Sequence, residues 1–95
     1  MKYKTANSEK IISLFGKNII YLTGRTERPL CLRKKAGQLY PAWIVRHRDE
    51  WILYSQLNTH LLVNNEEIKN GMVRLNDRDE VQVEKSGKLK ILLNL

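Results

Sequence analysis

Cysteine is almost absent. Cys31 stands alone among 95 residues, so no disulfide can close within the chain and no cysteine cluster offers itself to a metal. Histidine is nearly as scarce: His47 and His60 both fall at expected turns, leaving Cys31 without a base that would make it a nucleophile. Lying between Leu30 and Leu32, it reads as a buried structural thiol. Glycine is scattered singly, at Gly16, Gly24, Gly37, Gly71 and Gly87, and none belongs to a phosphate-binding loop. Asp77 and Asp79 lie two apart in a turn, but their neighbours do not complete a calcium loop. Long apolar runs are missing as well, so no segment reaches the ~20 residues that span a bilayer, and Met1-Lys2-Tyr3-Lys4 leads into polar residues rather than a signal-peptide hydrophobic stretch. These absences point away from an enzyme, a cofactor and membrane insertion, and towards a cytoplasmic protein.

What is present is apolar content in short pieces and an excess of positive charge. At 42% hydrophobic and 28% charged the composition is globular, and the length suits one domain over residues 1–95. The net charge of +7 favours an acidic partner: nucleic acid, anionic lipid, a phosphorylated protein or an acidic protein surface. Arg25, Arg28, Arg33, Lys34, Lys35, Arg46 and Arg48 are opposed in that span only by Glu27, whereas Glu66, Glu67, Asp77, Asp79, Glu80 and Glu84 lie further on. One end or face is therefore expected to be basic, unless these are solvated charges that keep strand edges from pairing with other chains.

Apolar residues recur with period two. Trp43-Ile44-Val45 and Trp51-Ile52-Leu53-Tyr54 flank a polar Arg46 to Glu50 stretch, which predicts a hairpin. Leu61-Leu62-Val63 runs into Asn64-Asn65, a pair that tolerates a left-handed turn, and predicts a second. Val73 and Leu75, then Val81 and Val83, alternate with polar residues on either side of the turn Asn76-Asp77-Arg78-Asp79. Earlier, Lys10 to Phe15 is a strand whose expected partner across Gly16-Lys17-Asn18 is Ile19 to Leu22, with a capped helix from Ser8 as the lesser reading. Leu30 to Leu32 is a short strand, Pro41 delays the next strand to Ala42 or Trp43, and Leu89 to Leu93 is the last. Residues 1–8 are an ordered first strand or a frayed end. Trp43 and Trp51 read as core anchors, or as a contact residue for a partner protein should one be exposed next to Arg46 or Arg48, while Tyr40, beside Pro41 in a basic loop, is the better candidate for exposure. Short, regularly spaced strands predict an all-β fold, a sandwich or small barrel.

The order of these pieces resembles the forkhead-associated (FHA) domain, a β-sandwich of short, mostly antiparallel strands whose loops at one end bind phosphothreonine peptides. Leu22-Thr23-Gly24-Arg25 is similar to its Gly-Arg signature, Leu30-Cys31-Leu32 to the following apolar strand, and Ala42 and Ile44 to its Ala-any-Ile element. Val63-Asn64-Asn65 looks like its Val-Asn-Gly, and Leu75 to Val81 like its Leu-any-Asp-Gly-Asp-any-Ile. In that register Gln38 stands at the family's serine, Pro41 at its histidine, and Thr59-His60 at its Asn-Gly pair with Asn58 one place early. Arg25 is the one phosphate-contacting residue kept. The resemblance implies an FHA-like module, degenerate at the peptide-binding residues, of the kind that serves for docking in bacterial secretion machinery such as type III and type VII systems.

Two functions follow from different classes. One is a noncatalytic protein-binding module whose basic loop end, with Arg25, Arg28, Arg33, Lys34, Lys35, Gln38, Asn58, Thr59 and His60 as candidates, docks an acidic or phosphorylated partner. The other is a small RNA-binding protein, because Leu61 to Val83 also resembles the closing hairpin of the S4 RNA-binding domain, which carries two basic helices ahead of it. Far-ultraviolet circular dichroism separates them: the sandwich gives a nearly pure sheet spectrum, and appreciable helix would favour the S4-like fold.

Overall fold

Alternation decides which side chains face inward. In the strand Asp79–Val83 residues 79, 81 and 83 are buried and the two between them half-buried, and Ala42–His47 starts with the same rhythm. Such a strand hides one face and needs a second layer to hide it against. The computed structural model describes residues 10–25 and 27–93; the alternatives for residues 1–8 lie outside this range. Among the described residues the chain is all-β, with β1 (Lys10–Ser13), β2 (Ile19–Leu22), β3 (Leu30–Cys31), β4 (Ala42–His47), β5 (Glu50–Ser55), β6 (Leu61–Val63), β7 (Glu66–Glu67), β8 (Met72–Leu75), β9 (Asp79–Val83) and β10 (Leu89–Leu92). These make two five-stranded sheets, ordered β1-β10-β9-β6-β7 and β3-β2-β4-β5-β8. All pairings are antiparallel except β1 with β10. Between the sheets lies one apolar cluster, to which Ile20, Ile44 and Leu53 contribute from one side and Leu61, Val81 and Ile91 from the other, each fully buried.

Both predicted central hairpins form. β4 and β5 pair from Ala42↔Ser55 to His47↔Glu50, leaving a two-residue loop in which Arg48 adopts φ 60. β6 and β7 are joined by Asn64 (φ 53) and Asn65 (φ 68), so two successive left-handed residues match the twist of the hairpin. Arg78 takes φ 72 in the turn before β9.

The structure corrects the expected pairing of the first strand. β1 lies beside β10, in register from Lys10↔Leu89 to Ser13↔Leu92, while β2 pairs with β3 and β4 in the other sheet. The reason lies at Leu14, which is fully buried and donates its N–H to the Leu92 carbonyl at 2.9 Å. After it the chain turns through Gly16 (φ 75), with Lys17 donating to the Leu14 carbonyl at 3.0 Å, and passes to the opposite sheet. The residues 76–78 turn also changes sheets: it leaves β8 at the edge of one and delivers β9 to the middle of the other.

A buried carboxylate holds that crossing. Asp79 accepts the Asn76 N–H at 2.7 Å and the Asn64 side-chain amide at 3.0 Å, and its own N–H donates to the Asn76 carbonyl at 3.1 Å. Asn64 in turn accepts the Glu80 N–H and donates its backbone N–H to the Glu80 carbonyl. One side chain thereby binds the β6–β7 hairpin to the β8–β9 crossing. Asp79→Ala removes the acceptor from two part-buried hydrogen bonds and is expected to cost about 1–3 kcal/mol in urea unfolding. Arg48→Gly relieves a left-handed residue and is expected to raise stability by about 0.5–1 kcal/mol in the same measurement.

Candidate functional site

Strand polarity gathers the β2–β3, β3–β4 and β5–β6 loops and the β9–β10 turn at one end of the sandwich. Contacts between them are direct. A Cβ on Gly24 would touch the Pro41 side chain at 3.4 Å and Glu84 at 3.8 Å, and Gly24 sits at φ 79, a left-handed backbone that a residue with a Cβ adopts only under strain. The Pro41 carbonyl accepts the Gln56 N–H at 2.9 Å and the Thr59 hydroxyl at 3.4 Å. Glu84 accepts the His60 N–H through its carboxylate at 3.0 Å and donates its own N–H to the His60 carbonyl at 2.7 Å.

The β2–β3 loop is shaped by Thr23. Its hydroxyl accepts the Arg25 N–H at 3.1 Å and donates to the Arg28 carbonyl, while its N–H donates to the Pro29 carbonyl at 2.9 Å. Arg25 and Arg28 are thus carried on a folded loop, both exposed. The β3–β4 loop is shaped by Tyr40. Contrary to the expected exposure, Tyr40 is only 4% exposed, because its ring packs on Tyr21 with centroids 5.1 Å apart. Its hydroxyl accepts the Lys35 N–H at 3.3 Å and donates to Cys31 Sγ at 3.7 Å. Gln38 N–H donates to the Lys35 carbonyl at 3.1 Å, closing a turn with Gly37 at φ 75.

Arg25, Arg28, Lys35 and Gln38 come together around a hollow of about 270 Å³ floored by Cys31, Leu30 and Tyr40. The other candidates lie elsewhere. Lys34 points to a neighbouring hollow, beside Tyr21 and Trp43. Asn58, Thr59 and His60 line a third, of about 290 Å³, with Glu67 and Lys69. Asn58 has φ 67 and serves the turn, and the Thr59 hydroxyl is engaged with Pro41. Arg33 is exposed, and its carbonyl accepts the Cys31 thiol at 2.8 Å. Sequence reasoning missed the residues that organise the site: Thr23, whose role appears only once Arg28 folds back on it, and Tyr40.

Cys31 is half-buried, not buried as expected, since β3 is an edge strand and its side chain faces outward opposite Tyr21. The backbone at Arg33 and the Tyr40 hydroxyl hydrogen-bond to its sulfur, and the Lys35 and Arg28 charges lie nearby; together these outweigh desolvation and lower the thiol from its ordinary value. Burial, followed by the bond to Cys31, raises the Tyr40 phenol. No group of three or more His, Cys, Asp or Glu able to hold a metal ion occurs among the described residues, and no helix there is long and apolar enough to cross a membrane.

No protein-family model matches this chain, and neither a curated protein nor a solved structure matches it.

The lowered thiol has a measurable sign. Thiolate absorbance near 240 nm is expected to rise at lower pH in the folded chain than in urea, and Tyr40→Phe, which removes a donor to sulfur, is expected to move the midpoint up. Between the two midpoints the folded chain binds fewer protons than the unfolded one, so this group makes stability increase with pH through that window. Coincident folded and unfolded midpoints would remove the effect.

Proposed function

We propose that the chain is a noncatalytic interaction module that docks an acidic or phosphorylated segment of a protein partner in the hollow edged by Arg25, Arg28, Lys35 and Gln38. The observation that carries this reading is the convergence of three cationic side chains from two loops on one concave spot, with backbone and hydroxyl hydrogen bonds fixing both loops beneath them. A guanidinium fork grips two oxygens of a carboxylate or phosphate, and two such forks with an ammonium suit a compact dianion. Gln38 adds an amide donor where the FHA family has serine. In the second candidate cluster Asn58 serves the turn and the Thr59 hydroxyl is engaged with the Pro41 carbonyl, which supports docking by charge rather than by the family's asparagine clamp on a peptide backbone.

The FHA resemblance is consistent with two sheets and with recognition loops at one end, and by analogy with degenerate FHA-like domains the module serves as a cytoplasmic docking unit of a bacterial secretion apparatus. The S4-like alternative has less support: the residues ahead of the Leu61 hairpin form β1 to β5, where that fold would need two basic helices.

Phosphate and an acidic surface are separated by capture from lysate of the native host, with and without phosphatase, on wild-type protein and on Arg25→Ala/Arg28→Ala/Lys35→Ala. The triple variant is expected to weaken capture of the specific partner at least tenfold, and phosphatase sensitivity identifies the anion as phosphate. Undiminished capture by the triple variant removes this hollow from the function.

A further inference from the structure

The outward face of the β3-β2-β4-β5-β8 sheet is not the polar surface that a solvated sheet normally shows. Cross-strand register sets Cys31 opposite Tyr21, Tyr21 opposite Trp43, Trp43 opposite Tyr54, and Tyr54 opposite Met72, one unbroken row across five strands. With neighbouring strands about 4.8 Å apart, the row runs for roughly 19 Å. A second row, Ile19, Val45 and Ile52, lies beside it. These side chains point away from the core, because the residues alternating with them, Ile20, Leu22, Ile44 and Leu53, are buried between the sheets. At one end the face deepens into a cleft of about 270 Å³ between Tyr21, Tyr40, Trp43 and Leu39, with Lys34 and Gln56 at its margin. Leu39 is 81% exposed there.

We infer that this face is a second docking surface, and that it receives an acidic protein segment whose bulky apolar side chains enter the Tyr21–Trp43 cleft and lie along the aromatic row. Charge selects the occupant. Lys34 stands at the mouth of the cleft, and Glu50 on the same face is held by Arg74 at 3.1 Å. An acidic rim around apolar anchors is the complement of that pattern. Bases stacking on the rings are disfavoured by geometry: Trp43 and Tyr54 stack on one another at 6.1 Å and 20°, so their faces are turned to each other. A second copy would bring two such faces, each on a chain of +7, against one another. The surface shares Cys31, Leu39 and Tyr40 with the anion-binding hollow but none of its cationic side chains, so it does not depend on the anion that hollow binds.

The test is selection of random 16-residue peptides by display on the immobilised chain, followed by affinity measurement on synthesised winners. Enriched sequences are expected to carry net negative charge and at least two large apolar residues. Trp43→Ser and Tyr54→Ser are each expected to weaken the winners at least tenfold, Lys34→Glu about threefold or more, and Arg25→Ala/Arg28→Ala/Lys35→Ala less than twofold. That last variant separates this face from the loop-end hollow. Should a tryptophan or tyrosine variant fail to fold, Lys34→Glu decides alone, since Lys34 is exposed and its reversal leaves the core untouched. Failure of any peptide to enrich, enrichment of basic peptides, or binding indifferent to these substitutions overturns the inference. So does binding of polyuridylate or of phosphatidylserine vesicles that Trp43→Ser abolishes, or a dimer in sedimentation that Trp43→Ser dissolves.

Discussion

The long central strands each have one apolar face, and the constraint that each such face meet another governs the fold. Hydrogen bonding inside a sheet does nothing to satisfy it; only the second sheet does, through the shared cluster around Leu53 and Val81. Connections that carry the chain between sheets are therefore as important as the hairpins within them. Leu14 is drawn into the core just before the first crossing, and Asp79 is buried just after a later one. Burying a carboxylate is costly unless its oxygens are occupied, and Asp79 has both bound, one by Asn76 N–H and one by Asn64. The same group that would weaken the core if left unpaired thus becomes the clasp between two turns, at the other end of the strands from the Arg25 and Lys35 loops.

At the opposite end Tyr40 has a comparable position. A tyrosine ring buried against Tyr21 supplies apolar area, and its hydroxyl, too costly to bury alone, finds Lys35 N–H and Cys31 sulfur. That pairing fixes where Lys35 leaves the loop. Lys34 and Lys35 part company, Lys35 lining the hollow of the arginines and Lys34 the one beside Trp43. Leu39 and Tyr40 form the ridge between the two hollows. A single buried aromatic side chain thus divides the basic loop into two differently furnished surfaces.

How much of this the sequence shows depends on range. Strand positions are legible because period two is a local signal, and so is the Asn64-Asn65 turn; the polar stretch Arg46 to Glu50 marks the first hairpin, but the ladder continues to His47↔Glu50 and leaves only Arg48-Asp49 as the loop. Partner choice is not legible. Lys10 to Ser13 and Ile19 to Leu22 look like a hairpin when only the intervening glycine is weighed, and the parallel match to Leu89–Leu92 is a contact across most of the chain. For the same reason the basic cluster was foreseen as a group, but its division was not: whether Lys34 or Lys35 faces Arg25 turns on Tyr40, whose neighbour Pro41 made it look like a loop residue rather than a packed one. Cys31 was misjudged in the same way. Leucines on both sides suggested burial, yet in an edge strand of two residues its side chain lies opposite Tyr21 on the outer face.

The aromatic row was also present in the sequence, though only in combination. Tyr21, Trp43, Tyr54 and Met72 are far apart along the chain and unremarkable singly; register makes them one surface. Once the Arg48-Asp49 loop fixes Trp43 opposite Tyr54, a slip of β5 by one residue would send Tyr54 into the core and Leu53 into solvent. The interior therefore enforces the exterior: the same alternation that fills the space between the sheets obliges the rings to stand outside, whether or not a partner covers them. Evolution of a soluble sheet has polar residues available for these positions at little cost to the core. That rings, and not threonine or lysine, occupy the row on a chain so rich in positive charge is an arrangement that folding alone does not require.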